Sequence, residues 1–232
     1  MNRSRAAEFH SAWDRHATML AELASASDGF RFYTRTPRTE PLSQRPYPGD
    51  PRFVYEGVDT VGFDTLQSVS DFRDAARPLG TGLFGESSAW LIAEEHLYTN
   101  GAPQGPLDTG PGIHVITSMR RRQGMTLTEF RRHQGDHAQL VVLTQGISRY
   151  AVNLVVDAEY AANEPPVDAV IEVWFRTSED MRACFSDPSM TGVQQVHNRL
   201  FVDTSTFFAL HCRDAEQWVV GARAPVNRQR PD

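Results

Sequence analysis

The sequence predicts an α+β chain made of two related units, each a small sheet covered by helices. Three observations carry this. A helical pattern with a histidine at the same place occurs twice, as "EFHSAWDRHATML" (8–20) and "EFRRHQGDHAQL" (129–140). Two further stretches then repeat in the same order. The most apolar strand-like stretch, "VDAVIEVWF" (167–175), is apolar on nearly both faces, as in a sheet covered on both sides.

The repeat runs through most of the chain. Phe9 and His16 have the same spacing as Phe130 and His137, and Trp13 then stands opposite Gln134. "VDTVGFDTLQSVSDFRDA" (58–75) aligns without a gap with "VDAVIEVWFRTSEDMRAC" (167–184). "LFGESSAWLIAEEH" (83–96) aligns with "LFVDTSTFFALHCR" (200–213). A tandem duplication follows, with a first copy over 1–98, a Gly/Pro-rich linker over 99–112, a second copy over 113–214 and a tail over 215–232.

In the second copy a strand is expected at 113–119. A helix follows, with Thr126 or Thr128 as N-cap and Glu129 in its first turn. Strands come next at 149–156 and 167–175, and a helix opens at Ser178 with Glu179 and Asp180 in its first turn. "SDPSMTGVQQVHNR" reads as a long connection to a last strand at 205–212. The order β-α-β-β-α-β is the ferredoxin-like unit. Two such units packed sheet to sheet would cover the faces that the helices leave open. The first copy reads helix, strand, strand, helix, strand. Too few residues precede Phe9 for a first strand, so that strand is absent, or the start codon is wrongly placed, or another segment fills its slot. "EQWVVGAR" (216–223) is a candidate, as in a circular permutation. The Pro-rich "RTPRTEPLSQRPYPGDP" (35–51) reads as irregular.

Composition narrows the function. A net charge of −6 gives no reason to expect a nucleic-acid partner. No apolar run is long enough for a membrane span, and the first residues lack the apolar core of a secretory signal. Two cysteines make no disulfide framework, so a cytoplasmic protein is expected. All basic residues are arginine, which excludes a lysine Schiff base.

The helix at 129–140 holds the candidate chemistry. At about 100° per residue, Phe130, His133, His137, Leu140, Val141 and Thr144 share one arc. Gln134 stands at its edge, and Arg131, Arg132, Gly135 and Ala138 lie elsewhere. Two histidines therefore point where Phe and Leu point, either as hydrogen-bonded core residues or as the lining of a cavity. Their spacing suits metal chelation, but "HQGDH" has Gln where a zinc hydrolase has its general base. His114, His197 and His211 become third ligands only if the fold brings them near, so no metal is assigned. Asp136 and the "RRR" run at 120–122 read first as solvated charges; the arginines could otherwise steer a carboxylate substrate.

From about 113 to 214 the chain resembles the EthD family of the dimeric α+β barrel superfamily. The resemblance rests on "MRRRQGMTLTEFRRHQGDHAQL", the Tyr of "SRYAVN", "VDAVIEVWFRTSEDMRACFSDP" and "LFVDTSTFFALH", in that order and spacing. The first half resembles the family more weakly, through the repeat. Members usually pair two identical chains, sheet against sheet; this chain looks like a covalent version, an intramolecular α+β barrel, whether monomeric or a homodimer. The family pattern has a Trp one turn before the helix His. Trp13 fits it, while Gln134 departs from it. Tyr150 fits in the second copy, and Phe32 or Tyr33 in the first.

The resemblance implies a cavity between helices and sheet for a small apolar or aromatic carbonyl compound, polyketide- or lactone-like. It implies cofactor-independent isomerase, lyase or cyclase chemistry. His137 is then the expected acid/base, His133 its neighbour, and Tyr150 the donor to a developing oxyanion. Phe130, Gln134, Trp174, Trp13 and His16 are the candidate substrate-binding residues, although Trp174 also suits core packing. Two other readings stand beside this one: a non-catalytic small-molecule-binding or accessory protein for a neighbouring oxygenase, and a haem or metal enzyme.

Overall fold

A computed structural model describes residues 3–37, 57–84, 90–98, 112–161, 163–206, 208–213 and 216–219. The linker and most of the Pro-rich stretch lie outside the described residues. The chain divides into two compact units, one holding the two N-terminal helices, the other including Ala93–Ala215.

In the first unit, α1 (Arg3–Ser25) leads through Gly29 into β1 (Phe30–Pro37). β2 (Gly57–Phe63) and α2 (Leu66–Phe84) follow. Ala17, Leu20, Ala21 and Ala24 of α1 close on Tyr33, Phe72 and Ala76 to form its core. The small alanines let the two helices approach closely.

The second unit opens with β3 (Ala93–Tyr98), then β4 (Ile113–Met119), α3 (Leu127–Val141) and β5 (Ile147–Val155). A 3₁₀ turn at Asp157–Ala161 leads to β6 (Ala169–Phe175) and α4 (Ser178–Ser186). A π-helical turn at Ser189–Gln194 runs into α5 (Gln195–Phe201), and β7 (Phe208–Arg213) closes the unit. β8 (Glu216–Val219) belongs to the first unit.

The larger sheet has the order β3-β5-β6-β4-β7, and its last four strands reproduce the ferredoxin-like arrangement. Its helix-facing side carries Met119, Tyr150, Val152, Ala169 and Ile171, packed on Phe130, Ala138 and Val141 of α3 and on Phe201 of α5. Thr126 caps α3 in a reciprocal capping box with Glu129. The architecture is α+β with antiparallel sheets.

Three expectations need correction. "SDPSMTGVQQVHNR" is not a plain connection but the π-turn and α5; its Pro, Gly and Ser residues disguise a helix of only 7 residues. Residues 93–98 do not complete the first unit's sheet. β3 pairs with β5 instead. Nor does the tail act as that first strand. The smaller sheet is β2-β1-β8, so β8 takes the edge of β1 away from β2, whereas a first strand would lie beside β2.

Candidate functional site

The site builds up from α3. Its buried residues are Phe130, Gln134, His137, Ala138 and Val141, so the stripe is rotated by about one residue from the expected arc. Leu140 is turned out to solvent and Ala138 is fully buried. The reason is α5, which packs along one flank of α3 and draws His133 and His137 toward it while Gln134 turns under the helix.

Between the two helices lies an imidazole pair. His137 Nδ1 and His197 Nδ1 are 3.2 Å apart, so one ring donates and the other accepts. His133 stacks on Phe201 at 5.8 Å and meets His197 edge-on at 6.0 Å. Its Nε2 is 3.2 Å from an Arg132 guanidinium nitrogen, which can only donate. That contact ties up the lone pair His133 would need as a base.

The electrostatics single out His137. Burial, and then the neighbouring His197, hold its pKa down at about 4. The ring is therefore neutral at ordinary pH and ready to accept a proton. The His197 pKa is lowered as well, by burial and by His133, with Asp136 working the other way. On the sheet side, burial and Tyr98 push the Tyr150 phenol up, so it stays a donor, while Gln134 works the other way. The ring of Tyr98 stands edge-on to that of Tyr150 at 6.3 Å.

An open hollow of about 680 Å³ lies over this region, lined by Tyr98, Asp136, Leu140, Leu143 and His197 among others. That size suits a small organic ligand. The imidazole that reaches it is His197; His137 stands behind, 4% exposed. Sequence reasoning missed His197 in this role because nothing local marks it. Its signal was spatial, the second imidazole on a helix read as a connection.

The other sequence candidates lie elsewhere. Trp174 is on the sheet face away from α3, because side chains alternate along β6. Its ring stacks on His114 at 4.3 Å, with the Arg149 guanidinium 4.5 Å from its centre. Trp13 and His16 belong to the first unit. There Asp59 accepts from Trp13 Nε1 and from the Tyr33 hydroxyl, each at 2.7 Å, and lies 3.8 Å from His16 Nδ1. Arg35 covers Trp13 at 4.4 Å and pairs with Asp14 at 2.6 Å. Arg121 of the basic run is bound by Asp168 and Glu164, which argues against a free carboxylate-steering patch. Among the described residues, no three His, Cys, Asp or Glu side chains converge in a way that could hold a metal ion. No described helix is long and apolar enough to cross a membrane.

Residues 122–205, from the end of the basic run past α5, match the EthD domain. That stretch of the chain is similar to the EthD domain. The α3 pattern, Tyr150 and the imidazole pair all fall inside it. No curated protein matches the sequence. Among solved structures, the chain aligns with an anthrone oxidase-like protein at a TM-score of 0.62 and 10% identity, covering 92% of this chain and 91% of that one. A candidate monooxygenase from Lactobacillus acidophilus NCFM aligns at a TM-score of 0.48 and 8% identity, over 91% of this chain and 88% of that chain. The first likeness extends the α+β fold beyond the EthD domain itself to nearly the whole chain.

Proposed function

We propose that this protein is a small-molecule enzyme that works by proton transfer without a bound cofactor, on an apolar or aromatic carbonyl compound. The observation that carries this is the His137–His197 pair, neutral and largely sheltered, beneath an open hollow. The pair takes a proton from a carbon next to the substrate carbonyl. The electron pair left behind moves onto the carbonyl oxygen, and the Tyr150 hydroxyl donates a hydrogen bond to it. Returning the proton to a different atom completes an isomerisation; attack of the enolate carbon on a second carbonyl, with the proton passed from the imidazole pair to the new alkoxide, completes a cyclisation. His197 faces the ligand, and His137 sets its proton inventory.

The name of the first structural neighbour suggests a probe, anthrone, whose C–H is acidic through the adjacent rings and carbonyl. The native protein in D₂O should accelerate deuterium entry into anthrone under anaerobic conditions. His137→Ala and His197→Ala should each lower that acceleration by about 10²-fold or more. Unchanged exchange in both variants would refute the proposal.

We also read the chain as a tandem duplication, the second copy intact and the first degenerate. Supporting this, α1-β1-β2-α2 repeats the order α3-β5-β6-α4. In both, a glycine with positive φ, Gly29 at 70° and Gly146 at 91°, makes the turn from helix to strand. At Gly146 the space is also taken, since a Cβ would stand 2.5 Å from the Asp180 carbonyl oxygen.

A further inference from the structure

Gln134 is 0% exposed, and neither its Nε2 nor its Oε1 makes a hydrogen bond of ordinary geometry. A buried carboxamide unsatisfied at both ends is costly and rare in a folded protein. It lies near enough to Tyr150 to affect that phenol, yet the two do not meet in an ordinary hydrogen bond. At the matching position of the first unit stands Trp13, whose single donor is taken up by Asp59. The second unit thus replaces a satisfied donor with an unsatisfied donor and acceptor.

The surroundings connect this group to the hollow. Gln134 shares the buried side of α3 with His137. Gly135, next along the chain, lies against Tyr98, where a Cβ would be 3.6 Å from the phenolic oxygen. Tyr98 also lines the hollow and packs on Tyr150. Tyr98 therefore borders both the hollow and the Tyr150 ring, and a ligand in the hollow would meet it before Tyr150 and Gln134.

We propose that Gln134 is the specificity-determining residue of this site, and that it reads a ligand edge on which an acceptor and a donor stand side by side, as in a lactam or a hydroxy-ketone. The carboxamide presents N–H and C=O from one planar group. A planar O=C–X–H edge, with X nitrogen or a carbon bearing hydroxyl, answers both at once and leaves the ligand carbonyl open to the Tyr150 hydroxyl as well. A lactone or simple ketone satisfies only the donor and leaves Oε1 unpaired, so it is discriminated against. This rests on the proposed function, because it takes the same pocket.

The test uses probes of one size. 2-Quinolone carries the N–H beside its carbonyl; N-methyl-2-quinolone and coumarin do not. Tropolone against tropone makes the same comparison with a hydroxyl. Binding to the full chain is measured by titration, with the histidine ring resonances recorded throughout. The expected result is that 2-quinolone, tropolone or both bind about tenfold or more tightly than their blocked partners, and whichever pair discriminates identifies the donor. Gln134→Leu should abolish the discrimination and keep or raise the thermal midpoint, since it removes unsatisfied polar atoms. Equal affinities with shifted histidine resonances would overturn this inference alone. A preference that survives Gln134→Leu, or a lowered midpoint in that variant, would also overturn it. No probe binding and no resonance moving would remove the proposed site itself.

Discussion

The helices α1 and α3 carry the same scaffold of side chains and treat it in opposite ways. In the first unit a Trp, a His and a Tyr gather around Asp59, which accepts from Trp13 and Tyr33 and faces His16. In the second, Gln134, His137 and Tyr150 hold matching positions with no carboxylate at the centre, and His137 finds a second imidazole instead. A half-buried carboxylate between two buried donors is a fastening. It fixes rotamers and fills its own hydrogen-bonding capacity. The second unit instead holds an imidazole pair and, on the same helix, a carboxamide that makes no hydrogen bond of ordinary geometry. The contrast teaches that one pattern of side chains can be fastened by a carboxylate in one unit and joined by an imidazole pair in the other. The corresponding carboxylate of the second unit, Asp168, has been drawn away to Arg121 and to the Tyr160 hydroxyl at 2.6 Å, which leaves α3 free of it.

The largest effect should separate the two helices in turnover. His137→Ala should cost about 10²-fold or more in proton exchange, whereas His16→Ala should leave exchange per folded molecule within about twofold. Equal losses in the two variants would break the comparison. Asp59→Ala should show the reverse pattern. It strands two buried donors, for a loss of about 2–4 kcal/mol in chemical denaturation, with turnover per folded molecule retained. A stability change within error would mean that Asp59 is not the fastening described.

The pH profile sharpens the contrast. His137 has its pKa lowered to about 4 in the folded chain against an ordinary 6.5. The base form is the neutral ring, so activity should persist below pH 6 and fall as pH drops through about 4. His197→Asn removes a neighbour that lowers this pKa, so the acid limb should move upward. A limb that stays in place would separate the two imidazoles functionally. The same shift affects folding. Between about 6.5 and 4 the unfolded chain binds a proton that the folded chain does not, so stability falls as pH drops through that window and the contribution is constant above it. The size is about 3 kcal/mol, and it should vanish in His137→Gln when denaturation is compared at pH 7 and pH 4.5.

What the sequence made legible follows the range of the forces involved. The helix that carries His137, its start at Thr126 or Thr128 and the element order of the second unit rest on local periodicity and turn chemistry, and these read directly; the structure settles the cap on Thr126. On the helix alone Gln134 falls at the edge of the stripe; α5 turns the buried side by about one residue. His197 was passed over for the same reason, since α5 is short and its role exists only against α3. Trp174 was put with the site by residue type, but alternation along β6 takes it to the opposite face. The strand exchange that sends residues 93–98 to β5 depends on which edge is vacant, a property of the assembled sheet and of no single stretch.

The smallest effect concerns how firmly α3 holds its imidazole. Thr126 accepts from the Glu129 backbone N–H at 3.2 Å, and Glu129 returns a bond to the Thr126 backbone N–H at 3.0 Å. Thr126→Ala should lower stability by about 1 kcal/mol, read as a shift in denaturation midpoint. The cap lies at the end of α3 away from the hollow, on the turn before Phe130, so turnover at low temperature should be unchanged. If turnover instead falls severalfold while the chain remains folded, the angle of α3 itself tunes the His137–His197 contact. The imidazole pair would then depend on where the helix begins as much as on α5, and the openness of the second site would be a property of the whole helix rather than of the residues at its centre.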